Sequence, residues 1–307
     1  MPPRTTSRGS AVFLSGTRRR RAGPRDGAVS PGPEAGRYAR LASVRRDRGP
    51  GRPGQPTVLL LHGLGGDSSQ PWAYLPDGTQ YPRIAPDLRA HGGTGRIGPT
   101  AAFTFDGLAD DVAALLDALN LAQPVLAVGV SMGAGIALNL ALRYPARIAA
   151  LALVRPAWLD QPMPPHLGAY PQIAALLRTA GPATGLARFK RAPSYRDVLA
   201  RSPAAAASMR AQFTAPHAVT RAVRLDRMPH SVPYCDRAEL RRLRQPALVI
   251  AARGDPTHPL AVAETTAAAL PHASSRLVGS RDEDAAGQLA QIRTEVTGFL
   301  GRAVVPR

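Results

Sequence analysis

Three stretches of this 307-residue chain carry residue types at spacings that can do chemistry. The first is Gly129-Val130-Ser131-Met132-Gly133. A serine with glycine two residues away on either side suits a turn so tight that the hydroxyl stands at its tip. Side chains at Gly129 and Gly133 would collide with neighbouring backbone there. Ser131 is then a candidate nucleophile. The backbone N–H of Met132, opening a helix, would face the negative charge that develops when a carbonyl is attacked. The plainer alternative is a strand-to-helix turn with a capping serine. The second stretch is His62-Gly63-Leu64-Gly65-Gly66, whose glycines let backbone N–H groups point into a cleft. The third is Arg253-Gly254-Asp255-Pro256-Thr257-His258, which brings a carboxylate and an imidazole three residues apart.

These residues need rigid elements to position them. The apolar, valine-rich run 125–130 reads as a buried parallel strand, and 134–142 has helical spacing, so Ser131 falls at a strand-to-helix junction. Further strands are expected at 57–61, 83–88, 148–154, 247–252 and 275–278, and helices at 105–119 and 285–300. Alternation of this kind builds a parallel sheet covered on both faces. Residues 36–41 read as the start of an edge strand, and 1–36, rich in arginine, proline, glycine and serine, as a disordered basic tail. The expected organisation is therefore a tail at 1–36, a core at 37–154, a helical lid at 155–245 and the rest of the core at 246–307. Segments 171–179, 194–213 and 218–228 supply the lid helices, and such an insertion belongs over the strand C-termini.

Composition narrows the class. The formal net charge is +18, with thirteen arginines against three acids in residues 1–55, and Lys190 is the only lysine. A nucleic-acid surface would need a basic stripe interleaved with aromatics, yet only 5% of residues are aromatic. No nucleic-acid partner is expected. One cysteine, Cys235, excludes an intrachain disulfide and a cysteine-rich metal site. No run reaches the roughly 18 apolar residues of a membrane span. The short run 11–14 precedes its arginine cluster instead of following it, so neither a membrane nor export is expected. A cytoplasmic enzyme acting on a small molecule, without metal or cofactor, is the expectation; oligomeric state is not legible.

In their order and in the elements between them, these motifs resemble the α/β-hydrolase fold from about Tyr38 to Leu300. The matching pieces are the loop at 62–66, the Asp-x-Arg-x-His-Gly loop from Asp87 to Gly92, the turn at Ser131, and the segment around Asp255. The resemblance implies a mostly parallel central sheet with helices on both faces. It also implies Ser131 as nucleophile, Leu64 and Met132 as donors of an oxyanion hole, and Asp255 as the acid of a catalytic triad. It departs at the third member. The family places its histidine after the last strand, where this chain reads Gly279-Ser280-Arg281-Asp282-Glu283-Asp284 and then Gln288-Leu289. Glutamine cannot take a proton from serine near neutral pH.

The chain has seven histidines. His62 and His91 suit structural hydrogen bonds beside the cleft; His166, His217 and His230 fall in the lid; His272 lies at the far end of the sheet. His258 remains the candidate base, although an Asp and a His three residues apart seldom form an in-line Ser–His–Asp chain. Its alternative is a pocket-lining or capping residue. The acids 282–284 are the other groups in the vacant loop, usually solvated and weak as bases unless buried. Three functions stay open at this point. Serine-dependent hydrolysis or acyl transfer on a small apolar ester, thioester or lactone is favoured by the Ser131 turn. A lyase, cyclase or pericyclic catalyst on the same scaffold, or an inactive binding paralogue, is favoured by the missing histidine.

Overall fold

The computed structural model describes residues 31–49, 55–95 and 98–304. Seven strands form one sheet: β1 Val44–Asp47, β2 Val58–Leu61, β3 Arg83–Pro86, β4 Val125–Val130, β5 Ile148–Val154, β6 Ala247–Ala252 and β7 Ala273–Val278. Their spatial order is β1-β3-β2-β4-β5-β6-β7. Only β1 runs antiparallel to its neighbour; β2 through β7 pair in parallel. Among the described residues eleven α-helices surround the sheet: α1 Pro33–Leu41, α2 Ser69–Trp72, α3 Phe105–Ala118, α4 Met132–Arg143, α5 Ala169–Phe189, α6 Pro193–Arg201, α7 Pro203–Thr214, α8 Ala218–Arg221, α9 Val223–Arg227, α10 Leu260–Ala269 and α11 Ala285–Val304.

The continuous apolar strands read from the sequence are those of a sheet buried on both faces. Because side chains alternate, Leu59, Leu61, Ala127, Leu151 and Leu153 pack with α3 and α4. Val58, Leu60, Val128, Ala152 and Ile250 pack instead with Trp72 and with Ile292, Val296 and Phe299 of α11. This is the expected α/β architecture, and the switch from β2–β3 on one side to β5–β7 on the other puts β4 and its Ser131 at the centre.

The N-terminal reading needs correction. Residues 1–30 of the expected tail lie outside the described residues, but 33–36 belong to α1, and 36–41 is helix instead of strand. Pro33 opens α1, Glu34 lies in its first turn and Arg40 in its last. Its buried residues, Ala35 and Tyr38, are spaced i,i+3. Tyr38 packs on Leu115 and donates its hydroxyl to the Asp87 carbonyl at 3.0 Å. The edge strand follows at β1.

Between β5 and β6 the chain makes α5 to α9. Gly181 takes φ 71° and Pro182 follows, breaking α5 into two segments. Among the described residues no helix is long and apolar enough to cross a membrane.

Candidate active site

Ser131 joins β4 to α4 with φ 53° and ψ −109°, a conformation other than glycine rarely adopts. Its N–H donates to the Val154 carbonyl at 2.9 Å, which ties the turn to the end of β5. A Cβ at Gly133 would run into the carbonyl oxygens of Leu61 and His62, so the helix can press this closely against β2 only with glycine there. The strain is held by its neighbours, and the hydroxyl faces the cleft.

The 62–66 loop passes directly over this serine: a Cβ on Gly63 would lie 3.4 Å from that of Ser131. Most of its N–H groups are already used. Gly63 donates to Gln70 Oε1 at 2.7 Å, Gly65 to His91 Nε2 at 3.1 Å, and Gly66 to the Gly63 carbonyl at 3.0 Å. Leu64 N–H has no acceptor among the described residues. Met132, the first residue of α4, has no intrahelical acceptor for its own. Both are free to meet an oxyanion.

His62 and His91 brace that loop. His62 Nε2 accepts from Leu88 N–H at 3.0 Å, so its Nδ1 donates to the Gly63 carbonyl at 2.8 Å. His91 Nε2 accepts from Gly65, so its Nδ1 donates to the Arg89 carbonyl at 2.8 Å. Each role requires a neutral ring. Burial lowers His62 from the ordinary 6.5, and burial followed by Arg224 lowers His91 well below it. The unfolded chain therefore binds these protons more readily than the folded one. The stability they contribute is complete above about pH 6.5 and is lost as pH falls below it. We expect the unfolding free energy from urea titration to fall between pH 7 and pH 5.5, and His91→Gln to flatten that fall.

His258 lies on the other side of Ser131. Its Nε2 is 2.9 Å from Ser131 Oγ and its Nδ1 is 2.8 Å from Asp255 Oδ2. The turn after β6 makes this possible: His258 N–H donates to the Asp255 carbonyl at 3.2 Å, folding the side chains back toward each other. The expectation that a three-residue spacing disfavours an in-line chain thus fails here, because the turn reverses direction within those residues. Thr257 Oγ1 and N–H donate to Asp255 Oδ1 at 2.7 and 3.1 Å, and Arg155 Nη1 donates to Oδ2 at 3.2 Å. Burial pushes the Asp255 carboxyl up. The opposing pull of His258, Arg155 and Thr257 is stronger and holds it well below the usual carboxylate range. An ionised Asp255 fixes the His258 proton on Nδ1 and leaves Nε2 to accept from the Ser131 hydroxyl.

The remaining candidates stay apart from Ser131 or are otherwise occupied. His166 Nε2 is 2.8 Å from the Ala157 carbonyl, while His217, His230 and His272 are exposed. Asp282 does line the cavity, but its carboxylate accepts from the Ser202 hydroxyl and, at 2.7 Å, from Ala204 N–H. Asp284 accepts from Gly287 N–H at 2.8 Å near the start of α11, and Glu283 is exposed. The acid run is thus two helix anchors and one surface residue. Removing the first anchor with Asp282→Ala should cost about 1 kcal/mol and speed amide hydrogen exchange selectively across α7. Sequence reasoning missed Arg155, although it directly follows β5, on the sheet edge where ligands gather.

The cavity beside Ser131 has a volume of about 70 Å³, lined by Leu64, Gln70, Val130, Tyr170, Ala205 and Ser208 among others. Helices of the β5–β6 segment thus form part of its wall. Gly254 and Asp255 also border a neighbouring groove of about 450 Å³, whose other walls are Arg201, Ala252, Pro256, Pro259 and Leu260. Among the described residues no group of three or more His, Cys, Asp or Glu is placed to hold a metal.

Known proteins give this arrangement a context. The alpha/beta hydrolase fold pattern matches residues 56–285. The chain is 31% identical over 236 residues to the pimeloyl-[acyl-carrier protein] methyl ester esterase of Aromatoleum aromaticum, covering 71% of this chain and 87% of that one. Several other curated relatives are matched over less than half their length. With an uncharacterized protein of Mycobacterium tuberculosis the identity is 34% over 101 residues, 32% of this chain and 28% of that one. Among solved structures, the enol-lactonase of Burkholderia xenovorans LB400 superposes with a TM-score of 0.60 at 25% identity, covering 86% of this chain and 95% of that one. With the pattern spanning β2 to β7 and the helices between them, the chain belongs to the alpha/beta hydrolase fold family.

Proposed function

We propose that this protein is a serine hydrolase that cleaves a small ester, thioester or lactone through an acyl-enzyme on Ser131. The observation that carries this reading is the continuous chain from Ser131 Oγ through His258 to Asp255, with contacts of 2.9 and 2.8 Å. The non-hydrolytic alternative drew its support from the lack of a histidine after the last strand. His258 beside Ser131 removes that reason.

In the proposed reaction, Ser131 Oγ attacks the carbonyl carbon as His258 Nε2 takes its proton. Negative charge moves to the carbonyl oxygen, which accepts from Leu64 and Met132 N–H. Asp255 stabilises the imidazolium without itself becoming protonated. Collapse breaks the bond to the leaving group, which takes the proton from His258. Water then attacks the acyl-enzyme, giving its proton to His258; the acid leaves, and Ser131 recovers its proton. The helices at 155–245 act as a lid that keeps bulk water from these steps. The esterase named among the relatives and the enol-lactonase among the structures act within this substrate range.

The test is reaction of the folded protein with a fluorophosphonate, followed by peptide mass spectrometry. One adduct on the peptide containing Ser131 is expected. An unlabelled protein that also fails to hydrolyse short 4-nitrophenyl esters would overturn the proposal.

A further inference from the structure

The charge lining the cavity is unbalanced on one side. Three arginines are among its lining residues, Arg155, Arg253 and Arg281. Arg155 is paired with Asp255 at 3.2 Å. The only other carboxylate in the lining, Asp282, is turned to the start of α7. Among the described residues neither Arg253 nor Arg281 has an acidic partner.

These two arginines come from neighbouring loops. Arg253 follows β6 and donates its backbone N–H to the Val278 carbonyl at 3.1 Å, extending the pairing with β7. Arg281 follows β7, and its Nη1 donates to Ser208 Oγ at 3.4 Å. The loops touch at the intervening residues, since a Cβ on Gly254 would lie 3.1 Å from Ser280 Oγ. Both side chains are largely exposed. An arginine on the open surface of so basic a chain would mean little. These two line a cavity with Ser131 and His258 and have no acidic partner among the described residues, and an uncharged ester offers their guanidinium groups no opposite charge.

Resting on the serine-hydrolase reading above, we propose that the substrate carries a free carboxylate, bound by Arg253 and Arg281 while its ester carbonyl lies at Ser131. The fork of a guanidinium fits a carboxylate edge-on, and two of them on adjacent loops fix its position relative to the reacting carbon. A half-ester of a short dicarboxylic acid has this form. The expected preference for an apolar substrate gives way to one for a short molecule with a charged end.

The test compares 4-nitrophenyl hydrogen glutarate with the uncharged 4-nitrophenyl pentanoate. The ratio of their kcat/KM values should exceed about tenfold in the parent. It should fall about threefold in Arg253→Gln or Arg281→Gln and approach one in the double variant. A ratio near one in the parent, or one that the double variant leaves intact, would overturn the proposal. A second measurement needs no turnover: calorimetry of methyl hydrogen glutarate and dimethyl glutarate with Ser131→Ala. Binding of the monoanion alone, abolished when both arginines are also replaced, is the expected result and would stand even if no ester were hydrolysed. Equal binding of the two, or none of the monoanion, would sink the anionic site without touching Ser131.

Discussion

Replacing His258 with alanine is expected to lower kcat/KM for a short 4-nitrophenyl ester by about 10⁴-fold or more, and to slow fluorophosphonate capture of Ser131 in proportion. The size follows from what the imidazole does. In the proposed mechanism it takes the Ser131 proton during attack and returns it to the leaving group, so its loss would affect both halves of the reaction. Among the described residues, no other titratable side chain beside Ser131 is placed to take over. His91 Nε2 already accepts from Gly65, His62 Nε2 from Leu88, and His166 is engaged with Ala157. The Asp282 carboxylate is held by Ser202 and Ala204. The variant should unfold at nearly the parent's temperature, because His258 is partly exposed and packs into no core cluster. Residual activity within tenfold of the parent would mean that another base serves Ser131, and the proposed mechanism would fail.

The fold was legible because its signals are local and repeated. Valine- and leucine-rich runs of strand length alternate with helical spacing, and each strand ends in a glycine-bearing loop. The Ser131 turn was legible because its glycines answer to close backbone contacts. Other features are set by contacts distant in sequence. Whether 36–41 is strand or helix depends on Leu115 and Asp87, which receive Tyr38 from α1. Arg155 looks like any arginine until β5 and β6 pair and bring it against Asp255, one hundred residues away.

His258 shows the same limit from the other side. Its type and position were visible, but the direction of its ring was not. A spacing of three residues permits a helical turn, an extended arm or a reversal, and each sends the imidazole elsewhere. What selects the reversal is the set of donors around Asp255: the His258 backbone N–H on its carbonyl, and Thr257 on its carboxylate. The loop after β7, freed from supplying a histidine, instead anchors α7 through Asp282 and brings Arg281 to the cavity wall.

Asp255→Asn should lower kcat about 10³- to 10⁴-fold while leaving Ser131 and His258 in place. All the recorded partners of the Asp255 carboxylate are donors: His258 Nδ1 and Arg155 Nη1 on Oδ2, Thr257 Oγ1 and N–H on Oδ1. An amide satisfies only one of these sides. With its NH₂ toward Oδ2's partners, His258 must shift its proton to Nε2, and an Nε2–H cannot accept from Ser131. With its NH₂ toward Thr257, it opposes two donors there. Either way Arg155, which is buried, loses its counter-charge, at a cost of about 3–5 kcal/mol in unfolding free energy. Acid titration separates this from a purely catalytic loss. The Asp255 carboxyl is held below its ordinary 3.8 in the folded protein, so its ionisation contributes stability that is full above about pH 4 and is lost as pH falls toward the folded value. The parent should therefore lose stability more steeply than Asp255→Asn below pH 4, and the two curves should converge. Arg155→Met in the Asn background should recover much of the lost stability and none of the lost rate, because removing the stranded charge does nothing to restore an acceptor at His258 Nδ1.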